Sequence, residues 1–250
     1  MQKIIFILLI ISFIVGCKTS QKKEDRILFV VSNQHTYGST NLIASNHFSE
    51  IVLAYDIFIK SGYKVDFVSP KGGAIPIGYI SKNDRIQKKY LNDTDFMYLF
   101  KNTLRPNEIN PLSYKATYYS GGGSAMFGVP ENKEIQTISR SIYENNGIIS
   151  TVCHGTAGIV NLKLSNGRYI YEEKQISGYP DFFENMDSKK YKTFPFSIEK
   201  TINKRGGEFS YSKERNANYF KEDGRLVTGQ DPSSSISVAK KVVEMLQNQK

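Results

Sequence analysis

The sequence predicts an α/β fold in which a mostly parallel β-sheet is covered by helices on both faces. Strand-like and helix-like stretches alternate along the chain, and the strand-like stretches are nearly all apolar. Strands that are apolar on both sides are buried on both sides, which is typical of parallel sheets. With 250 residues, 40% of them hydrophobic, the chain is long enough for one domain with a sizeable core.

The first half of the chain opens with a buried strand and a long helix. Residues 27–31 (Ile-Leu-Phe-Val-Val) predict the strand. Residues 46–60 predict the helix, because Ser61-Gly62 directly after it is typical of a helix C-terminus. The further elements predicted up to residue 120 are a strand over 63–69, helices over 84–91 and 95–101, and a strand over 114–120.

The second half repeats the alternation. Its predicted elements are a helix over 132–145, a strand over 148–152, a helix over 156–162, a strand or hairpin over 168–175, a helix over 195–205, a strand over 226–228 and an amphipathic helix over 233–246. The chain shows no internal repeat and no low-complexity tract, so a single domain over 26–250 is expected.

The N-terminal residues are predicted to lie outside this domain. Lys3 is followed by a 12-residue apolar run, Ile4 to Val15, which is too short for a stable membrane span but suits a secretory signal. The run ends in Gly16-Cys17 and resembles the lipobox of bacterial lipoproteins. This resemblance implies a signal peptide over 1–16, a lipidated Cys17 with a polar tether over 17–25, and a protein anchored to a membrane of the bacterial cell envelope. A plain signal peptide or an uncleaved anchor is the alternative.

Charge and residue usage narrow the function. The formal net charge of +9 comes largely from dispersed lysines, without a basic stripe interleaved with aromatic residues, so nucleic-acid binding is not expected. If Cys17 is lipidated, Cys153 is the lone free thiol and no intramolecular disulfide can form. The three histidines lack metal-ligand spacing, so no metal site is predicted, and His35 and His47 are interpreted as polar loop and cap residues.

Residues 149–157 carry the most specific chemical signal. They are typical of a strand end, a sharp turn and a helix start, with Cys153 at the turn and His154 and Gly155 after it. Such a turn exposes the nucleophile of elbow enzymes. A helix N-terminus favours the thiolate, so Cys153 is predicted to be a nucleophile that is ionised near neutral pH. The alternative is an inert buried cysteine.

Two further features are predicted at the same sheet edge. Glu50 lies in the first turn of the helix 46–60, on a face that is otherwise apolar, so it needs a partner or a proton. It is interpreted as a carboxyl group bonded to the Cys153 sulfur, and the alternative is a residue that stabilises its own helix N-terminus. Gly121-Gly-Gly123 follows a strand and lets backbone N–H groups face a substrate oxygen, unless it is an ordinary tight turn.

Taken together, these residues resemble the ThiJ/PfpI superfamily, whose fold is a flavodoxin-like sandwich similar to that of class I glutamine amidotransferases. The resemblance covers nearly the whole chain after the signal. It is most similar to the branch with cofactor-independent glyoxalases (glyoxalase III) and heat-shock holding chaperones. The matching stretches are 48–50 (Phe-Ser-Glu), 61–73 (Ser-Gly-Tyr-Lys-Val-Asp-Phe-Val-Ser-Pro-Lys-Gly-Gly), 90–93 (Tyr-Leu-Asn-Asp), 119–123 (Tyr-Ser-Gly-Gly-Gly), 152–155 (Val-Cys-His-Gly) and 227–234 (Val-Thr-Gly-Gln-Asp-Pro-Ser-Ser).

The resemblance implies catalytic roles for Cys153, His154 and Glu50. It also implies an acidic residue that orients His154, for which Glu184 fits best and Asp181 second. The family's oxyanion and substrate contacts fall at glycines, here Gly122, Gly123 and Gly155.

The chain departs from the superfamily pattern at three points. The glycine pair at 121–122 usually follows Pro and precedes His-Gly, and here it follows Ser120 and precedes Gly123-Ser124, so the metal site of some chaperone members is not expected. The residue after Cys-His-Gly, often Pro in the family, is Thr156. No histidine follows His154, so amidotransferase activity is not expected either.

The function that the resemblance implies is a cysteine-dependent enzyme for small 2-oxoaldehydes, converting methylglyoxal to lactate without a cofactor. The thiol would add to the aldehyde, and His154 or Glu50 would move a proton from C1 to C2. A stress-response holding chaperone, and a protein deglycase or peptidase with the same thiol, are the alternatives. The expected partners are a small aldehyde and a membrane reached through the lipid, and a homodimer is left open.

Overall fold

Strands and helices alternate along the chain. The structure, a computed structural model, describes residues 25–249. Its strands are β1 Arg26–Val30, β2 Asn46–His47, β3 Lys64–Val68, β4 Ile77–Gly78, β5 Tyr114–Tyr119, β6 Ile148–Val152, β7 Gln175–Ile176, β8 Glu208–Phe209, β9 Phe220–Asp223 and β10 Leu226–Gly229. Its α-helices are α1 Phe48–Lys60, α2 Arg85–Leu91, α3 Thr94–Lys101, α4 Lys133–Glu144, α5 Ile198–Lys204 and α6 Ser235–Asn248.

The central sheet has six strands in the order β3-β1-β5-β6-β10-β9. All neighbours pair in parallel except β9, which runs antiparallel to β10 at the edge. Numbered by their order in the chain, the five parallel strands lie in the order 2-1-3-4-5, which is the flavodoxin-like arrangement. The predicted fold class is therefore confirmed. The carboxyl ends of the parallel strands share one edge, where such sheets hold their ligand sites.

Each face of the sheet has its own hydrophobic core. Successive side chains of a strand point to opposite faces, and Ile27 and Phe29 of β1 accordingly join one cluster while Leu28 and Val30 join the other. The first cluster packs under α1, α2, α3 and α6 and is rich in aromatic rings, and the second packs under α4 and α5 and is mostly aliphatic. Helices thus cover both faces, as predicted.

The helix α1 begins two residues later than predicted. Asn46 and His47 pair in parallel with Ile77 and Gly78 as the short ladder β2–β4. The Asn46 amide donates to the carbonyls of Ser32 and Pro76, at 2.8 Å each, and therefore stays in extended conformation. The predicted C-terminus is confirmed, because the chain leaves α1 through Gly62 at φ +86°.

Two predicted elements are wrong. Residues 156–162 do not form an α-helix, because Cys153–Ile159 is a 3₁₀ helix. Thr156 sits inside it and bonds to the Thr151 hydroxyl at 2.7 Å and the Ser177 carbonyl at 3.1 Å, which ties this segment tightly to the sheet. Residues 168–175 form turns rather than a strand or hairpin, apart from a bridge between Lys163 and Tyr169 and the start of β7.

One further predicted helix is shorter than expected, and one strand of the central sheet was not predicted. The helix predicted over 195–205 is the shorter α5, whose N-terminus is capped by the Ser197 hydroxyl accepting from the Lys200 N–H. The edge strand β9 was not predicted, since its sequence Phe-Lys-Glu-Asp carries the charges that protect a sheet edge and lacks an apolar run.

The predicted signal peptide over 1–16, the lipidated Cys17 and the tether, apart from Asp25, lie outside the described residues. Among residues 25–249, no helix combines the length and the apolar composition needed to cross a bilayer.

Candidate active site

The residues after β1, β5 and β6 meet at the carboxyl edge of the sheet. Cys153 follows β6 directly and has φ +59°, a left-handed conformation that is strained for a residue with a side chain. Gly121 faces it from the end of β5. A Cβ on Gly121 would lie 2.9 Å from the Cys153 Cβ and 2.9 Å from Glu50 Oε2, so only glycine fits between the thiol and the carboxyl.

Cys153, His154 and Glu184 form a chain of polar contacts. The Cys153 Sγ lies 3.5 Å from His154 Nδ1, and His154 Nε2 lies 2.7 Å from Glu184 Oε1. Because the Glu184 carboxylate accepts the Nε2 proton, Nδ1 of a neutral imidazole is left as an acceptor that faces the sulfur. The geometry is that of a nucleophile, its base and the group that orients the base.

Of the two acidic residues that the sequence proposed for orienting His154, Glu184 makes the contact. Asp181 instead accepts a hydrogen bond from the Ser197 hydroxyl at 2.8 Å and is not among the residues that line the cavity. The imidazole is also held by rings, with Tyr179 stacked on it at 4.6 Å between centroids and Phe194 edge-on at 5.4 Å. The His154 ring is therefore fixed in one orientation.

Glu50 is fully buried, as its position on the apolar face of α1 predicts. Its Oε2 accepts a 2.6 Å hydrogen bond from the Gly121 N–H, and its Oε1 has no hydrogen-bond partner among the described residues. Burial raises the pKa of Glu50 to about 8, although the Gly121 N–H and the Cys153 thiol lower it. A pKa of about 8 favours the protonated form at neutral pH, and Oε1, which has no partner among the described residues, is the oxygen available to carry the proton.

The prediction of a resting thiolate at Cys153 is wrong. Burial raises the pKa of the Cys153 thiol well above its usual range, and ionisation of Glu50 would raise it further. The backbone N–H of His154 lowers that pKa but does not overcome burial. The α-helix expected to favour the thiolate is the short 3₁₀ helix Cys153–Ile159, whose dipole is correspondingly small. The sulfur is a thiol until a base removes its proton.

The glycines assigned to substrate contact divide into two groups. Gly122 lines the cavity beside Cys153 at φ +97°, and its N–H makes no backbone hydrogen bond to the residues described. Gly123 and Gly155 pack against protein instead. A Cβ on Gly123 would lie 2.1 Å from the Tyr37 hydroxyl oxygen, and one on Gly155 would lie 2.3 Å from the Tyr119 carbonyl oxygen. Of the three glycines, Gly122 lines the cavity, and its N–H is the candidate oxyanion donor.

These groups open into a cavity of about 490 Å³. Its wall is partly aromatic and carries two cations near the mouth, Lys190 and Arg215. Arg215 donates to the Tyr179 hydroxyl at 2.8 Å and to the Phe183 carbonyl at 2.9 Å. The residues that line the cavity are Tyr37, His47, Tyr79, Gly122, Cys153, His154, Tyr179, Glu184, Asn185, Ser188, Lys190, Tyr191, Phe194, Arg215, Asn216, Asp231 and Pro232.

The wall opposite His154 was not predicted. His47 occupies the N-cap position of α1, as its interpretation as a cap residue requires, but its side chain makes no capping bond and lines the cavity instead. The Tyr79 ring stacks on His47 at 4.4 Å and 4°, and the Tyr79 hydroxyl lies 3.3 Å from that of Tyr37. Nothing in the local sequence signals this wall, because the loops that form it meet only in the fold.

No metal site accompanies these residues. Across residues 25–249, no three His, Cys, Asp or Glu side chains lie close enough together to hold a metal ion. His35 is exposed in the loop after β1, as predicted.

Comparison with known proteins places the chain in context. The DJ-1/PfpI family matches residues 42–245. A glutathione-independent glyoxalase of Schizosaccharomyces pombe, hsp3102, is 28% identical over 212 residues, which are 80% of this chain and 88% of the relative. The glutathione-independent glyoxalase HSP31 of Saccharomyces cerevisiae is 30% identical over 211 residues, again 80% of this chain and 88% of the relative.

Solved structures agree with this comparison. The rapid encystment protein REP24 of Francisella tularensis superposes with a TM-score of 0.83 at 29% identity, covering 89% of this chain and 99% of that one. Glyoxalase III of Candida albicans superposes with a TM-score of 0.80 at 24% identity, covering 88% and 96%. This chain therefore has the same fold as these two proteins over nearly all of its described residues.

Proposed function

The chain belongs to the DJ-1/PfpI family, as its motifs predicted, and we propose that it is a glutathione-independent glyoxalase acting on small 2-oxoaldehydes such as methylglyoxal. The observation that carries the proposal is the contact of one thiol with both an oriented imidazole and a protonated carboxyl in an open cavity. The names of the relatives, which are glutathione-independent glyoxalases, support the same reaction.

The first step is addition of the Cys153 thiol to the aldehyde carbon. Because the pKa of the thiol is raised, it needs a base, and His154 Nδ1 at 3.5 Å is placed to take its proton as the S–C bond forms. Glu184 stabilises the resulting imidazolium through Nε2. The aldehyde oxygen becomes an oxyanion, held by the free Gly122 N–H, and then takes the proton from His154 to give a hemithioacetal.

The second step moves hydrogen from C1 to C2. His154, neutral again, removes the C1 proton; the C1–H electron pair forms a C1=C2 double bond and the carbonyl π pair moves to O2, which gives an enediolate. The proton returns from His154 to C2, and the O1 proton passes to O2 as the C1=O bond forms, which gives the thioester of a 2-hydroxy acid. Protonated Glu50 lies beside the sulfur and can donate its proton from Oε1 once the thiol has been ionised, which stabilises charge at sulfur without placing a second anion in the buried site.

Hydrolysis of the thioester completes the cycle. Water adds to the acyl carbon with His154 as base, and the departing sulfur is reprotonated as lactate is released. No redox change occurs overall, because C1 is oxidised as C2 is reduced.

The test is lactate formation from methylglyoxal in the absence of glutathione. We expect turnover by the wild-type protein and loss of at least roughly 10³-fold in Cys153→Ala, since the covalent route is removed. Asp181→Asn is the matched control for Glu184→Gln, because both replace a carboxylate near the site and only Glu184 touches His154. Full turnover by Cys153→Ala would contradict the proposal.

We further propose that lipid on Cys17 anchors the protein to the bacterial cell envelope. Support comes from the apolar run Ile4 to Val15 followed by Gly16-Cys17. Partition of the protein into a detergent phase, abolished by Cys17→Ser, is the expected result. The homodimer left open by the sequence stays a prediction for light scattering to test.

A further inference from the structure

Two histidines, His47 and His154, line the cavity, and the proposed reaction assigns a role to His154 but not to His47. Its Nδ1 is buried and has no hydrogen-bond partner among residues 25–249. No hydrogen bond or ion pair involves its Nε2 within the same residues, and the side chain lines the cavity with Cys153 and His154. A buried imidazole that makes no hydrogen bond within the fold is costly. Its Nε2 is not among the enclosed atoms, so this is the ring nitrogen that a ligand in the cavity can bond.

The position of His47 is fixed from both sides. Its backbone N–H donates to the Gly121 carbonyl at 2.9 Å, and the N–H of that same Gly121 donates to Glu50. A Cβ on Gly122 would come within 2.7 Å of the His47 backbone nitrogen. Gly121, which separates Cys153 from Glu50, and its neighbour Gly122 therefore also hold the His47 backbone in place beside the cavity.

The ring of His47 is also fixed, and by a strained neighbour. Tyr79 stacks flat on it at 4.4 Å between centroids, and Tyr79 itself has φ +57°, an uncommon conformation for a tyrosine. Backbone of this kind clusters at functional sites, and Cys153 at φ +59° and Asn216 at φ +58° are further instances in the lining of this cavity. The nucleophile Cys153 and Tyr79, whose ring stacks on His47, thus both have an uncommon backbone conformation.

His47 is also kept uncharged. Burial lowers the pKa of His47 to about 4, and the charge of His154 lowers it as well. A neutral imidazole can donate a hydrogen bond to a carbonyl oxygen without placing a second cation beside His154. The same arrangement is used by triosephosphate isomerase, whose neutral histidine polarises a carbonyl during enediol formation.

We propose that His47 contacts the substrate, donating from Nε2 to the oxygen on C2 of the 2-oxoaldehyde. This inference rests on the proposed function. In the hemithioacetal the hydrogen bond holds the ketone oxygen. When His154 removes the C1 proton, the C1–H electron pair forms the C1=C2 bond, the carbonyl π pair moves to this oxygen, and His47 stabilises the charge that develops there. His47 remains neutral throughout: His154 carries the proton from C1 to C2, and the oxygen on C2 takes its proton from the hydroxyl on C1.

The role makes His47 a determinant of substrate class. A monoaldehyde has no oxygen on C2, so it can add to Cys153 but gains nothing from His47. The cavity therefore selects vicinal dicarbonyl compounds over simple aldehydes through one hydrogen bond, and sites built to bond a substrate oxygen discriminate strongly against analogues that lack it.

The experiment compares His47→Phe with His47→Gln. Phenylalanine keeps a flat ring for Tyr79 to stack on but cannot donate, whereas the glutamine amide retains a donor. With methylglyoxal we expect kcat to fall roughly 10²-fold in His47→Phe, the usual effect of losing one donor to a developing oxyanion, and less than tenfold in His47→Gln.

Alkylation of Cys153 by iodoacetamide is the control for an intact site. Its rate should change less than threefold in both variants, since His47 does not touch the thiol in the contacts described. If His47→Phe keeps its kcat, His47 is a packing residue and the inference is overturned. If the wild-type protein forms no lactate, the proposed function fails instead, so the two failures are distinguishable.

Discussion

The helix α1 carries two buried acids, Glu50 and Asp56, whose carboxyl groups have different kinds of partner. Glu50, in the first turn, forms no ion pair with a cation among residues 25–249, and its neighbours are the Gly121 N–H and the Cys153 thiol. Asp56, two turns later and 3% exposed, is bonded to Lys60 at 2.6 Å, to the Tyr90 hydroxyl at 2.9 Å and to Lys89 at 3.3 Å. One helix thus carries a carboxyl without a counter-ion and a carboxylate with two.

The pKa values move in opposite directions for this reason. Burial raises the pKa of both groups, but at Asp56 the hydrogen bonds from Lys60, Tyr90 and Lys89 outweigh burial, and the pKa is lowered. At Glu50 burial prevails and the pKa rises to about 8. The fold therefore neutralises one acid with cations and the other with a proton. The first arrangement suits stability, and the second keeps a donor beside the nucleophile.

The largest difference between the two acids should appear in catalysis. Glu50→Gln preserves size and the bond from Gly121 but removes the acidic proton, so we expect kcat/KM with methylglyoxal to fall by roughly 10²-fold. Asp56→Asn is the matched control on the same helix, and its kcat/KM should stay within twofold of wild type. Comparable activity in Glu50→Gln and wild type would show that the buried proton has no part in the reaction.

The next largest effect is on the pH dependence of stability. The folded pKa of Glu50, about 8, lies above the unfolded value of 4.5, so the folded state holds a proton that the unfolded state has lost. Stability is therefore present at low pH and is lost as the pH rises through 8. The upper limit of this loss is roughly 5 kcal/mol, from 1.36 kcal/mol for each of the roughly 3.5 pKa units between the two values.

Urea unfolding of wild type and Glu50→Gln at pH 5, 7 and 9 measures this effect. The glutamine has no proton to lose, so the free energy of unfolding of the variant should gain on wild type as the pH rises. Parallel pH profiles for the two proteins would mean that Glu50 is already ionised when folded, and the contrast with Asp56 would disappear.

Much of the fold, and less of the site, could be predicted from the sequence. Apolar strands and amphipathic helices obey short-range periodicity, so the five parallel strands and the helices on both faces were predicted. The prediction failed where geometry depends on contacts distant in sequence. The 3₁₀ helix at Cys153 is set by the bond of Thr156 to Ser177 and by the close approach of Gly155 to Tyr119.

The site shows the same limit in its electrostatics. Glu50 was predicted to be buried because its helical face is apolar, and this is confirmed. The protonation state of Cys153 was predicted with the wrong sign, since burial by neighbours from several loops outweighs one helix end. The place of His47 opposite His154 was missed, because β2 and β4 come together only through tertiary pairing.

The smallest effect expected is the cost of removing the charge of Asp56. Asp56→Asn keeps the shape of the side chain but weakens three bonds, and we expect a loss of about 1–3 kcal/mol in the free energy of unfolding at pH 7. The Lys60 and Lys89 side chains are more than half exposed, so their own charges stay hydrated and add little to this cost.

The folded pKa of Asp56 lies below the unfolded value of 3.8, so the contribution of Asp56 to stability is present above that pH and is lost as the pH falls through the folded pKa. The difference between wild type and Asp56→Asn should therefore shrink toward pH 3, opposite in direction to that of Glu50→Gln. A difference that is the same at pH 3 and pH 7 would assign the stability of this pair to packing rather than to charge.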